Sequence, residues 1–86
     1  MRELRETIEE MVSEDYKERF RAEYWQTKIR YQKLRDMNIK YEAGTLTYTP
    51  ICSLPLLNAQ QASMGKYLHC LEVRAEIEGI DLGKEA

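Results

Sequence analysis

The chain contains few of the residues that stabilise small proteins through covalent or metal cross-links. Its 86 residues include two cysteines, Cys52 and Cys70, which lack CxxC spacing, and a single histidine, His69. These are three thiolate or imidazole groups, whereas a structural zinc site uses four. We therefore expect no metal and no cofactor. Both cysteines are expected to be reduced and to be small, buried hydrophobic side chains.

Several targeting and catalytic motifs are also absent, and this limits the expected location and activity of the protein. The chain has no charged-then-apolar leader and no uninterrupted apolar run of about 18 residues, so we expect a soluble intracellular protein with no membrane contact. No glycine-rich phosphate loop follows a strand, and no nucleophile and carboxylate stand at a recognisable spacing around His69. The sequence therefore indicates a protein that is not an enzyme and has no catalytic residues.

Charge is distributed unevenly along a chain whose net charge is −2. Residues 17–40 carry eight basic and three acidic side chains, whereas the segments before and after them are both acidic. Two interpretations are open: the basic segment attracts acidic helices within or between subunits, or it holds an anionic ligand. A sequence pI near 5.4 argues against duplex nucleic acid as the partner.

The longest helical pattern covers residues 15–42. Its apolar and aromatic positions alternate spacings of four and three, which is a heptad seam that faces one partner helix. The seam consists of Phe20, Tyr24, Thr27, Tyr31, Leu34, Asn38 and Tyr41. A second apolar stripe on the same helix consists of Trp25, Ile29 and Ile39. Two apolar stripes on one helix predict that it packs against two neighbouring elements.

A second helix is predicted over residues 54–79, also with two apolar faces; one of them contains Cys70, Val73 and Ile77. Gly65 in its interior costs roughly 1 kcal/mol relative to alanine, and a close helix crossing is the usual reason for such a glycine. The connector, residues 43–53, begins at Gly44 as a left-handed helix cap and is stiffened by threonines and Pro50. We expect Leu46 and Tyr48 to pack together over the helix ends.

These patterns predict an all-α fold in a single domain, 1–86. It consists of an antiparallel hairpin of two long helices, with a short N-terminal helix or extension at 1–12 and a tail at 80–86 that docks through Ile80 and Leu82. The N-terminal helix is expected to present Leu4, Ile8 and Met11 on one face and to break near Ser13. Because two long helices make a modest core, we expect a homo-oligomeric helical bundle, from dimer to hexamer.

Basic and aromatic side chains on both long helices suggest a site for a small anionic nucleotide, in which cations hold phosphates and a ring stacks on a base. The candidate ligand-binding residues are Tyr24, Lys28, Tyr31, Arg35, Lys66, Tyr67 and Arg74. Basic side chains that merely flank a helical seam would give the same pattern.

The segments YKERFRAEYWQTKIRYQKL, KYEAGTL and MGKYLHCLEVRAEIEGI resemble an uncharacterised family of small bacteriophage proteins, first catalogued from crAss-like phages. The resemblance covers residues 14–82. More distantly, Gly65, Tyr67, Leu68, Leu71, Arg74 and Ala75 are similar to a run in phage helical-hairpin sponges, although Arg74 lies farther from Tyr67 than in that pattern. Such sponges oligomerise and bury CBASS cyclic oligonucleotides or Thoeris cyclic ADP-ribose isomers between subunits.

The resemblance implies a phage counter-defence protein that binds a cyclic nucleotide signal without cleaving it, in the cytoplasm of an infected bacterium. A second hypothesis is a protein-binding inhibitor of a host defence enzyme, similar in role to an anti-CRISPR. In that case the stripes with Trp25 and Ile29 and with Cys70, Val73 and Ile77 would face the partner. A structural phage component is a third.

Overall fold

The computed structural model describes residues 3–83 and is helical, with no strand among them. A 3₁₀ turn, Leu4–Thr7, leads into a short helix α1, Ile8–Met11; the long helices are α2, Tyr16–Ala43, and α3, Leu54–Glu78. The all-α prediction is confirmed. Residues 1–2 and 84–86, within the predicted extension and tail, lie outside the described range. Over that range no helix combines the length and hydropathy needed to cross a membrane.

Local capping determines where the long helices begin and end. Asp15 accepts a hydrogen bond from the Lys17 amide at 3.0 Å and starts α2, and Ser53 accepts one from the Leu56 amide at 3.4 Å and starts α3. Gly44 ends α2 in the left-handed region, at φ 77°, where side-chain-bearing residues are disfavoured. The predicted break near Ser13 is confirmed, because α1 stops at Met11 and α2 restarts at Tyr16.

The two long helices pack against each other as an antiparallel hairpin. The Tyr24 hydroxyl donates to Glu72 Oε2 at 2.9 Å, and the Asn38 amide donates to Gln61 Oε1 at 3.0 Å and to the Leu57 carbonyl at 3.2 Å. Later residues of α2 thus contact earlier residues of α3, as in an antiparallel pair. The heptad seam of α2 therefore faces α3 of the same chain.

A compact apolar cluster lies at the end of the hairpin farthest from the connector. Its buried members are Phe20, Tyr24, Trp25, Leu68, Leu71, Ala75 and Ile80, with Tyr31 and Leu82 packed against them. The Trp25 indole N–H donates to the Leu82 carbonyl at 2.7 Å. The predicted docking of the tail through Ile80 and Leu82 is confirmed.

The stripe of Trp25 and Ile29 is not available to a second subunit or to a protein partner, contrary to our expectation. The side chains of Trp25 and Ile29 are 4% and 3% exposed within the single chain. The tail covers Trp25, and the N-terminal segment packs on the same helix, where Glu10 lies 3.6 Å from Arg21. The chain's own ends therefore occupy this part of the second stripe.

The predicted apolar face of the N-terminal helix does not form. The segment starts as a 3₁₀ helix over Leu4–Thr7, whose three residues per turn align Leu4 with Thr7 instead of with Ile8 and Met11. Thr7 is fully buried and donates to the Leu4 carbonyl at 2.7 Å, whereas Ile8 and Met11 are exposed.

The connector also differs from the prediction. Leu46 is half-buried, as expected, but Tyr48 is exposed. The backbone bends at Thr47 and Tyr48, so the extended alternation that would place Leu46 and Tyr48 on one side is interrupted.

We predict that Leu71→Ala lowers the free energy of unfolding by about 2–5 kcal/mol, because Leu71 is fully buried and alanine leaves a cavity. Urea denaturation followed by far-ultraviolet circular dichroism measures this. Leu56→Ala, the same substitution at an exposed position of the same helix, is the control and should cost under about 1 kcal/mol. Equal losses in the two variants would contradict this account of the core.

Candidate functional site

A groove of about 700 Å³ lies along the hairpin, with its lining mostly on α3. We call it the Gly65 groove; it is lined by Tyr31, Gln61, Gly65, Lys66, His69 and Cys70, with Asn58 and Ala62. Its size falls within the usual range of small-molecule sites.

Gly65 brings α2 and α3 together at this point. A Cβ atom built on Gly65 would lie 3.4 Å from Cε1 of the Tyr31 ring. The ring therefore lies directly over the glycine backbone, and one side of it borders the groove. The close crossing expected from Gly65 is present, and it occurs within the chain.

The groove contains one cation, Lys66, and one histidine, His69. Within residues 3–83 the Lys66 ammonium makes no ion pair, and the Tyr31 hydroxyl makes no hydrogen bond. Lys66 and Cys70 are four residues apart and so lie on one face of α3. The groove thus offers an aromatic ring, an unneutralised positive charge and several hydrogen-bonding groups.

Lys28 and Arg35 lie one helical turn before and after Tyr31 on α2, next to the groove but not in its lining. Lys28 is half-buried and makes no ion pair in the described part of the chain. Arg35 is exposed and lies 4.0 Å from Asp36, a weak contact between solvated groups.

Two of the candidate tyrosines lie elsewhere. Tyr24 belongs to the core: its ring meets Trp25 edge-on at 5.3 Å, and its hydroxyl donates to Glu72. Tyr67 is exposed on α3 and does not line the groove.

Arg74 holds the ends of the two long helices together. It lies eight residues beyond Lys66, about 12 Å along the helix axis. Its Nη2 donates to the Tyr16 oxygen at 2.9 Å, its Nε lies 3.4 Å from Glu78 Oε2, and its guanidinium carbon is 5.0 Å from the Phe20 ring centroid. The Tyr16 hydroxyl in turn donates to Glu78 Oε1 at 2.8 Å. Arg74 is thus committed to a helix-end cluster in this structure.

Several groove residues were not among the sequence candidates, notably Gln61, His69 and Cys70. The prediction that both cysteines are buried is wrong, because Cys52 and Cys70 are exposed. One signal could have found two of them: Gln61, Gly65 and His69 follow one another at intervals of four and therefore share a helix face. A glycine between two polar side chains on one face marks a place where a cleft can form. No group of three or more His, Cys, Asp or Glu side chains among residues 3–83 is arranged to hold a metal ion.

The structure is thus a small two-helix hairpin with an open groove along it. The chain belongs to the Sequestin family, whose model matches residues 14–77. The family name points to sequestration of a bound molecule and not to catalysis. Neither a curated protein nor a solved structure matches the chain.

We predict that Gly65→Ala raises the free energy of unfolding by up to about 1 kcal/mol, because alanine favours the helix and its Cβ meets Tyr31 at the edge of normal contact. Thermal and urea denaturation check this. Gly79→Ala is the matched control; it should destabilise, because Gly79 has φ 68°. Destabilisation by Gly65→Ala would mean that Tyr31 cannot move by a few tenths of an ångström.

The helix-end cluster predicts a loss of stability at high pH. The hydrogen bond to Glu78, followed by desolvation and the Glu78 charge, raises the pKa of Tyr16 above its ordinary value of 10.0. The folded state therefore holds this proton more tightly than the unfolded state does. The resulting stabilisation is complete below pH 10 and is lost as the pH rises further.

Urea midpoints of the wild type and Tyr16→Phe, compared between about pH 8 and pH 11, test this expectation. The advantage of the wild type over the variant should shrink above pH 10. Midpoints that remain parallel across the range would contradict the role of this proton.

Proposed function

We propose that the protein is a phage counter-defence protein that binds and sequesters a cyclic nucleotide immune signal, of the CBASS or Thoeris type, without cleaving it. The observation that carries this proposal is the Gly65 groove, where the Tyr31 ring lies beside the unneutralised Lys66. A base would pack against Tyr31, and Lys66 would hold a phosphate. Membership of the Sequestin family supports binding as the activity.

Charge on the neighbouring helix also supports an anionic ligand. Lys28 makes no ion pair among the described residues, and Arg35 makes only the 4.0 Å contact with Asp36, so this part of α2 keeps its positive charge for an outside group. Lys28 and Arg35 are within one turn of Tyr31 and would meet the phosphates that Lys66 does not reach. In this proposal Tyr67 and Arg74 would contact the ligand only across an interface between subunits.

In a single subunit the Gly65 groove is open to solvent on one side, and a second copy of the chain would close that side. Val73 and Ile77 are 45% and 78% exposed on α3, and their stripe runs into the groove through Cys70. A second copy packed on this stripe would cover its apolar surface and place a wall over the Gly65 groove. We therefore propose a homo-oligomer, from dimer to hexamer, acting in the cytoplasm of the infected host. The resemblance to crAss-like phage proteins and helical sponges supports this setting.

Titration calorimetry against cyclic dinucleotides, cyclic trinucleotides and cyclic ADP-ribose isomers tests the function. We expect one class to bind and to be recovered chemically unchanged after the protein is denatured. Lys66→Gln should weaken that binding by about tenfold, the loss expected for one charge-assisted hydrogen bond. Arg30→Gln, an exposed cation on α2 outside the groove lining, is the matched control and should bind almost normally.

The sequestration proposal would be overturned if none of these nucleotides binds at micromolar concentrations, or if a cleaved product is recovered. Light scattering and native mass spectrometry of protein purified from infected cells report the number of subunits and any retained molecule together. Ile77→Glu should dissociate an oligomer that uses the α3 stripe.

A second candidate function is a protein-binding inhibitor of a host defence enzyme. The exposed stripe of Cys70, Val73 and Ile77 favours it, because an apolar surface on a helix suits a protein partner as well as a second copy. A monomer at working concentration that binds no nucleotide would support this function over the first. In a structural phage component, the third hypothesis, the same stripe would form the contact with neighbouring proteins.

A further inference from the structure

A second groove, of about 520 Å³, lies where the connector folds back beside the last turns of α2. We call it the connector groove. Its polar lining comes from Lys33, Asp36 and Lys40 on α2, and from Thr45, Thr47 and Tyr48 on the connector. It shares no lining residue with the Gly65 groove.

The end of α2 shapes this groove. Gly44 turns the chain in the left-handed conformation, and the Thr45 amide then donates to the Lys40 carbonyl at 2.9 Å. The connector is thereby held against the helix it has just left. Met37 and Leu46 supply an apolar part of the lining between the polar groups.

The charged groups of the groove stand in an alternating order. Lys33 and Lys40 are seven residues apart on one face, about 10.5 Å along the axis, with Asp36 between them. Neither lysine makes an ion pair among residues 3–83. Asp36 has only the 4.0 Å contact with Arg35, and both side chains are largely solvated. All three charges are therefore available to a ligand.

This alternation of positive and negative side chains is not favourable for binding a simple anion. Asp36 and the partly negative carbonyl end of α2 would repel an anion placed at the centre of the groove. A ligand with an anionic group at one end and hydroxyl donors beside it matches the order better. The anion can reach a lysine, and the hydroxyls can donate to Asp36 and exchange hydrogen bonds with the threonines.

The aromatic ring adds an apolar requirement. Tyr48 is 57% exposed at the wall of the groove. A flat or apolar face of the ligand can pack against this ring and against Met37.

We propose that the connector groove binds a phosphorylated pentose, either as a free sugar phosphate or as the ribose phosphate part of a nucleotide. The phosphate lies at Lys33 or Lys40, the sugar hydroxyls donate to Asp36, and Tyr48 packs on the sugar or the attached base. This site is separate from the sequestration proposed at the Gly65 groove.

Nuclear magnetic resonance titrations of the full chain with ribose 5-phosphate, adenosine monophosphate and inorganic phosphate test the proposal. Ribose 5-phosphate should shift the amide signals of Thr45, Thr47 and Tyr48 at millimolar concentration. Stronger binding of adenosine monophosphate would identify the nucleotide as the preferred source, and equal binding would identify the sugar phosphate. Lys66→Gln, in the other groove, should leave these shifts unchanged.

Asp36→Asn is the decisive variant. Asparagine still accepts a hydrogen bond but lacks the negative charge that strengthens it, so ribose 5-phosphate should bind about tenfold more weakly, while inorganic phosphate binds as well as before or better. Because Asp36 is exposed, the variant should fold normally, and circular dichroism checks this. Lys33→Gln and Lys40→Gln together should weaken the binding of both ligands, and the single variants identify which lysine holds the phosphate.

Three results would overturn the proposal. The first is an absence of shifts at residues 45–48. The second is tighter binding of ribose 5-phosphate by Asp36→Asn, which would indicate a simple cationic patch. The third is a set of shifts confined to Tyr31 and Lys66, which would leave the first groove as the binding site. Failure of the nucleotide panel with shifts still present at residues 45–48 would instead remove only the sequestration proposal.

Discussion

The antiparallel packing of α2 on α3 is the contact on which the other features of this molecule depend. Its register is set by hydrogen bonds at widely separated points, from Tyr16 with Glu78 near one end to Asn38 with Gln61 near the other. With that register fixed, Gly65 must lie opposite Tyr31. A shift by one helical turn would place a side chain under the tyrosine ring and fill the groove. The Gly65 groove is therefore a consequence of the helix register.

Polar groups in the seam make this register specific at some cost in stability. Asn38 is 2% exposed and donates twice across the seam, but its Oδ1 finds no donor within the described part of the chain. A buried polar atom without a partner costs free energy that an apolar side chain would not. Buried asparagines in helical bundles are known to select one register over others, at the expense of stability. Asn38 matches that role here.

The sequence was informative where one chain segment determines its own structure. The capping residues Asp15, Gly44 and Ser53 act within a few residues, and the heptad seam of α2 requires only one partner helix, so the hairpin could be predicted. What covers Trp25 could not be predicted, because the tail reaches it across more than fifty residues. The predicted apolar face of the N-terminal segment does not form, for a local reason. A 3₁₀ helix has three residues per turn and an α-helix has about 3.6, so different residues of the same segment share a face in the two helices. Candidate ligand residues were chosen by type and face, and type cannot separate Tyr31 beside a groove from Tyr24 inside the core.

The burial of Trp25 changes where this protein can meet other molecules. Two apolar stripes on α2 suggested that subunits surround that helix, but the chain's own two ends already occupy the Trp25 part of one stripe, and α3 occupies the other. Val73 and Ile77 remain exposed on α3. Since their stripe reaches the groove at Cys70, any copy or partner that covers it must also approach Tyr31 and Lys66. In the proposed function, the association of subunits and the binding of a ligand would therefore share one face, and the free energy of one would depend on the other.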